Sequence, residues 1–359
     1  MKTGLRTVLV NLVVLLVLLG LLILVPPAIL DAYKAATARP DARAALPNYQ
    51  GMAWAGKHFE EFNAQRTLYT DFIGWRRAPF AGDTITVDRE GYRQHPGSGE
   101  AELADTWVFG GSTVWGPGVR DDMTLPATLQ AHSGRPTFNF GESAYTAHQS
   151  YNLLIKRYLA GGRPKRVVFY DGANEVVIKC RTELGYFSAA QEITIRERLR
   201  GVSDGASMTL EVFWPALQAL KRFSQKLSGP QTADSSASFD CHSNELKRQR
   251  IAAALVLDWQ LARQLVESRG GRFLAALQPV AYTGQPALGH LPAVGSDVLL
   301  RAQYDAVYGE IIKQLGDAAV PYADLRSALD GTGPLYIDFA HVSPPGNQAL
   351  GQRIAELLK

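Results

Sequence analysis

The sequence predicts an α/β protein. The expected form is a three-layer α/β/α sandwich with a mainly parallel sheet, preceded by one N-terminal transmembrane helix. Three observations carry this expectation. Short apolar runs at 106–109, 137–140, 166–170 and 273–277 each end near Gly, Asp or Pro. Stretches with helical periodicity, such as 151–159 and 246–267, separate them, and buried strands alternating with helices argue for a parallel sheet covered on both faces. Ahead of them, Thr7 to Leu24 carry no charge and one strongly polar side chain, Asn11.

That leading stretch, about 18 residues, would rise roughly 27 Å as a helix, close to the thickness of a bilayer core. Pro26 and Pro27 end it. A cleaved signal normally has an apolar core of about 7–15 residues with its small-residue cleavage site directly after it. Here the triplet Ala36-Thr37-Ala38 lies well beyond the run, so residues 1–30 read as an uncleaved anchor. Lys2 and Arg6 precede it and Lys34, Arg39 and Arg43 follow, which nearly balances the positive-inside rule. The short leading tail favours a cytoplasmic N-terminus and a periplasmic or otherwise extracytoplasmic remainder, so the lipid bilayer is an expected partner.

Residues 31–104 read as a tether that turns into an N-terminal extension. A β-branched run, Thr84-Ile85-Thr86-Val87, followed by a turn with Gly91, predicts a small hairpin there. Residues 105–359 form the main domain, with a last strand near 320–325. A final helix is expected over 345–358, with Pro344 and Pro345 in its first turn. From about 180 to 244 no strand is evident, and 228–238 is rich in Ser, Gly, Ala and Asp. This reads as an insertion over the C-terminal edge of the sheet, where ligands bind in open α/β folds. It serves there as a lid or is a loosely packed excursion.

Composition excludes some functions. Hydrophobic residues at 46% and charged residues at 20% suit a globular domain with one membrane helix. The formal charge of +3, with no basic run interleaved with aromatics, gives no reason to expect nucleic acid. There is no Cys-x-x-Cys and no His-Glu-x-x-His, so a dedicated zinc site is not expected, and there is no phosphate-cradling glycine loop of the P-loop type; no metal or organic cofactor is implied. Cys180 and Cys241 either pair, as an oxidising compartment allows, or remain buried thiols.

The chemistry centres on Ser112. The run Trp107-Val108-Phe109 stops at Gly110-Gly111, which lets the backbone bend and leaves the Ser112 hydroxyl at the sheet edge. A serine needs a base, and a histidine oriented by a carboxylate is a common one. Asp338-Phe339-Ala340-His341 supplies both before the final helix. Gly141 and Asn174 each follow another apolar run. Alone, each would be an ordinary turn or capping residue; together and in order they are a candidate catalytic set.

These blocks resemble the SGNH (GDSL-like) hydrolase superfamily over about residues 105–358. The first is Phe109-Gly110-Gly111-Ser112-Thr113, with Gly-Gly-Ser in place of the common Gly-Asp-Ser. The second is Asn139-Phe140-Gly141-Glu142-Ser143-Ala144-Tyr145. The third is Asp171-Gly172-Ala173-Asn174-Glu175, with Glu where the family has Asp, and the fifth is Asp338-Phe339-Ala340-His341. The resemblance implies Ser112 as nucleophile, His341 as base and Asp338 as its orienting acid. It implies an oxyanion hole from the Ser112 and Gly141 N–H groups and the Asn174 amide. It also implies a membrane-anchored serine esterase that removes O-acyl groups, chiefly O-acetyl, from carbohydrate. The alternatives are an O-acyltransferase with the same triad that modifies an envelope or secreted polysaccharide, a lipase or thioesterase, or a binding protein that kept the fold. His148 and Gln149 are expected near the pocket or in structural roles, and Glu142 as a liner or a helix cap. His58, His95, His132, His242 and His290 are expected in surface or hydrogen-bonded structural roles.

Overall fold

The computed structural model describes residues 40–192, 194–196, 238–318, 320–331 and 333–359, together with positions 6, 10–15, 17–21, 25 and 29. The chain divides into two compact units, residues 1–39 with 193–237 and residues 40–192 with 238–359. In the first, the described positions between 10 and 21 are helical and expose apolar side chains such as Leu12, Leu15 and Leu18. Among the described residues no helix is long and apolar enough to cross a membrane. The expected span at 7–24 lies partly outside the described residues, and most of the expected insertion with its lid lies outside them too.

The second unit is built on a parallel sheet of β5 (Thr106–Gly110), β6 (Thr137–Asn139), β7 (Arg166–Asp171), β8 (Arg272–Leu277) and β9 (Tyr322–Asp324), in the order β6-β5-β7-β8-β9. Registers such as Val108 opposite Asn139 and Val168, and Val168 opposite Leu274, hold it together. All five residues of β5 and all three of β6 are buried, as strands covered on both faces must be. The four apolar runs thus form strands, and the fifth lies inside the expected 320–325.

Helices cover both faces. Leu125–Ser133 and Pro344–Leu357 pack on each other and on one face, with Val108, Val168, Ala276, Leu129, Leu350 and Ile354 in one core. On the other face Ala147–Leu159, Glu245–Ser268 and Val298–Ala318 pack in sequence. The aromatic side chains Trp107, Phe109, Phe140 and Phe169 interlock beneath them, with Phe109 and Phe140 stacked at 4.7 Å. The last helix starts at Pro344, one residue before the expected position, with both prolines in its first turn.

The extension is a packed layer from residue 40 onward. Asn48 Nδ2 donates to Tyr336 O (3.0 Å) and Tyr49 OH to Gly118 O (2.6 Å). The expected hairpin contracts to a Val87–Arg93 bridge, because Asp88 accepts from the Glu90 and Tyr92 N–H groups and closes a tight turn. Thr86–Val87 (β4) pairs instead with Phe80–Ala81 (β3). A second antiparallel hairpin, β1 (Thr67–Thr70) with β2 (Gly74–Arg77), was not legible in the sequence. Cys180 and Cys241 are joined in a disulfide, which resolves the alternative left open above.

Candidate active site

In the strand order, β5 has β6 on one side and β7 on the other, so the crevice where an α/β sheet binds ligands opens at the C-terminal end of β5. Gly110 ends that strand, and Ser112 begins the single helical turn Ser112–Trp115. Gly111 has no room for a side chain: a Cβ there would collide with Asn174 Nδ2 and lie 3.2 Å from Tyr145 O.

Ser112, Asp338 and His341 converge. Ser112 Oγ lies 2.7 Å from His341 Nε2, and His341 Nδ1 lies 2.7 Å from Asp338 Oδ2. With Nδ1–H donating to the carboxylate, Nε2 is left to accept the serine proton. Asp338 Oδ1 accepts from Ala340 N (2.9 Å) and His341 N (2.8 Å), so the acid is fixed by its own loop. Burial pushes the Asp338 carboxyl up. The opposing His341 charge and these hydrogen bonds outweigh it and hold the group below the ordinary carboxylate range. The His341 and Asp338 side chains stay 19% and 30% accessible, which leaves the histidine open to a substrate.

Asn174 is the second residue of the helix Ala173–Lys179, which starts where β7 ends. Its amide donates one hydrogen to Tyr145 O (2.7 Å), and its second hydrogen has no partner among the described residues. Gly172 before it adopts φ +128°, and a Cβ would strike Tyr308 Oη at 2.6 Å, so glycine is required. Glu175, fully buried, accepts from Ala147 N (2.7 Å) and Gly172 N (3.1 Å) and ties the third block to the second. Asp171 turns inward, accepts from Trp259 Nε1 (3.1 Å), and is pushed well up by burial and by the Glu175 charge.

The expectation for Gly141 does not hold. Its N–H donates to Asn139 Oδ1 (2.9 Å), and its Cα packs so tightly that a Cβ would lie 2.5 Å from Trp115 N. Gly141 is a packing glycine whose N–H is already committed. Three residues on, Ala144 adopts φ +64°, uncommon for a residue with a Cβ, and its N–H has no hydrogen-bond partner among the described residues. The Ser112 N–H likewise has none there. Ala144 directly precedes the Tyr145 carbonyl that holds Asn174 and approaches Gly111. Only a strained backbone angle marks it, and sequence does not display that.

Glu142 caps no helix: it accepts from Ser143 N (2.6 Å) and Arg77 N (2.9 Å). Gln149 serves the cap instead, accepting from Thr146 N (3.1 Å). His148 pairs with Asp258 at 3.0 Å. His58 and His95 are buried, and burial lowers them to about 3 and about 4, so both are neutral structural groups. Among the described residues no cluster of three or more His, Cys, Asp or Glu could hold a metal ion. A cavity of about 300 Å³ lined by Tyr186, Asp240, Lys247 and Arg250 contains none of the triad.

No protein-family model matches the chain, and no curated protein matches it. Several solved structures resemble it. A carbohydrate acetylesterase, Est24, from Sinorhizobium meliloti aligns at 13% identity and a TM-score of 0.39 over 70% of this chain and 97% of its own. The acetyl xylan esterase AlAXEase gives 13% and 0.40 over 71% and 100%. A lipolytic protein of the G-D-S-L family from Desulfitobacterium hafniense gives 13% and 0.38 over 70% and 99%.

Proposed function

We propose that the chain is a serine ester hydrolase working through Ser112, His341 and Asp338. The observation that carries this reading is the unbroken hydrogen-bonded line Ser112–His341–Asp338 at the sheet's C-terminal edge. Ser112 Oγ attacks the ester carbonyl as His341 Nε2 takes its proton. Asp338 keeps the imidazole oriented and stabilises its positive charge. The developing oxyanion is received by the Ser112 N–H, the Ala144 N–H and the free Asn174 amide hydrogen. The intermediate collapses, the alcohol leaves with the His341 proton, and water repeats the sequence on the acyl-enzyme.

The substrates are O-acyl groups, chiefly O-acetyl, on carbohydrate; the four-block motif resemblance supports this step. Location is part of the same proposal: a single-pass anchor at residues 1–30 with the hydrolase outside the cytoplasm, supported by the charge-free run at 7–24 and by the disulfide. Full-length protein should stay with membranes through an alkaline carbonate wash; its release into the supernatant contradicts the anchor. A fluorophosphonate probe should label one peptide, the one that contains Ser112. Hydrolysis of an acetylated glycan that continues unchanged when a second glycan is added identifies a hydrolase, whereas acyl transfer to that glycan identifies the transferase.

A further inference from the structure

The turn 141–145 carries two parts of the proposed oxyanion hole, the Ala144 N–H and the Tyr145 carbonyl that holds Asn174. β2 of the N-terminal extension grips this turn. Trp75 Nε1 donates to Ser143 O (3.0 Å), and Tyr145 OH donates back to Trp75 O. Arg77 N donates to Glu142 Oε2 (2.9 Å), and its guanidinium pairs with Glu142 Oε1 at 3.3 Å and donates to Ser143 Oγ (2.6 Å). The same guanidinium lies over the ring of Trp115, 4.8 Å from its centroid, at the end of the helical turn that begins with Ser112. Arg77 therefore touches the nucleophile's turn and the oxyanion turn at once. The pair is almost wholly buried, Arg77 at 9% and Glu142 at 0% exposure. A buried ion pair gains little stability over apolar groups of similar volume, so its clearest effect is on geometry.

We propose that Arg77 and Glu142 are positioning residues that set the 142–145 turn against Ser112, so that the N-terminal extension is part of the catalytic unit. This rests on the esterase reading above. Oxyanion donors act only when aimed at the developing charge, and a misplacement of about 1 Å costs roughly 100-fold in rate.

The test uses the full chain, 4-nitrophenyl acetate, and an aryl boronic acid, whose tetrahedral serine adduct carries an anionic oxygen. Arg77→Met combined with Glu142→Gln removes both charges and leaves neither one buried alone. The expected result is a kcat lower by about 30- to 100-fold, a KM within threefold, and boronic acid affinity weakened in step with kcat. Arg77→Lys, which keeps the charge, should recover part of the loss. A folded double variant with kcat within threefold of wild type overturns the proposal, as does a changed KM with unchanged boronic acid affinity. If the double variant does not fold, Arg77→Lys must itself lower kcat at constant KM; no effect there, or failure to fold, makes the pair a folding element and overturns the proposal. Wild-type protein inactive on the ester, or full activity in Ser112→Ala, condemns the esterase reading instead.

Discussion

At the scale of single residues, the chemistry turns on which hydrogen-bond donors are free. Asn174 has one amide hydrogen on Tyr145 O and one to offer. Removing a single oxyanion donor typically lowers kcat by about 10²–10³-fold. Asn174→Ala should fall in that range, with KM little changed, in steady-state hydrolysis of an aryl acetate; an unaltered kcat removes Asn174 from the site. A second residue sets a pH dependence. The Asp258 hydrogen bond raises the His148 pKa, against a smaller lowering by burial. A group raised on folding stabilises fully below its unfolded value, near about 6.5, and loses that contribution as pH rises through the folded pKa. Wild type should therefore melt above His148→Ala below the unfolded value of about 6.5, and the gap should shrink as the pH rises above it. The effect is small because the imidazole is half exposed. A gap that widens with pH contradicts the pairing. Ser112, Asp338 and His341 were legible because residue type and order alone define them. Gly141 was misread because Asn139, two residues earlier, takes its N–H, and Ala144 was invisible because its positive φ is imposed by its surroundings.

At the scale of elements, the parallel strands were legible as apolar runs, whereas β1 and β2 were not. β1 is mostly exposed and lacks alternation, and β2 buries two arginines that read as solvent-facing in any hydropathy pattern. Arg76 is accommodated by the Tyr92 ring at 4.0 Å and by Gly91 O, and Arg77 by Glu142 and Trp115. Such burial depends on partners far away in the chain. The disulfide acts on another element, the short helix that begins beside Asn174 and is followed directly by Cys180. Its partners are 61 residues apart, a closure worth roughly 4 kcal/mol in the chain-entropy model. Cys180→Ser should lower the midpoint of denaturant unfolding, with kcat following as the helix loosens. Unfolding unchanged from wild type means the crosslink constrains nothing that folding needs.

At the scale of the whole molecule, the fold does one thing for chemistry: it brings Ser112 and His341, 229 positions apart in sequence, to 2.7 Å. The sheet order sets the serine at its crevice, and the final helix is preceded by the loop that carries Asp338 and His341. If these residues act as one unit, their losses do not multiply. The decisive measurement is kcat/KM for 4-nitrophenyl acetate in full-length wild type, Ser112→Ala, His341→Ala and the double variant. Each single change should lower it by about 10⁴-fold or more, with the double variant no worse than the poorer single one. Single variants within tenfold of wild type, or a double variant showing the product of the two losses, would contradict it.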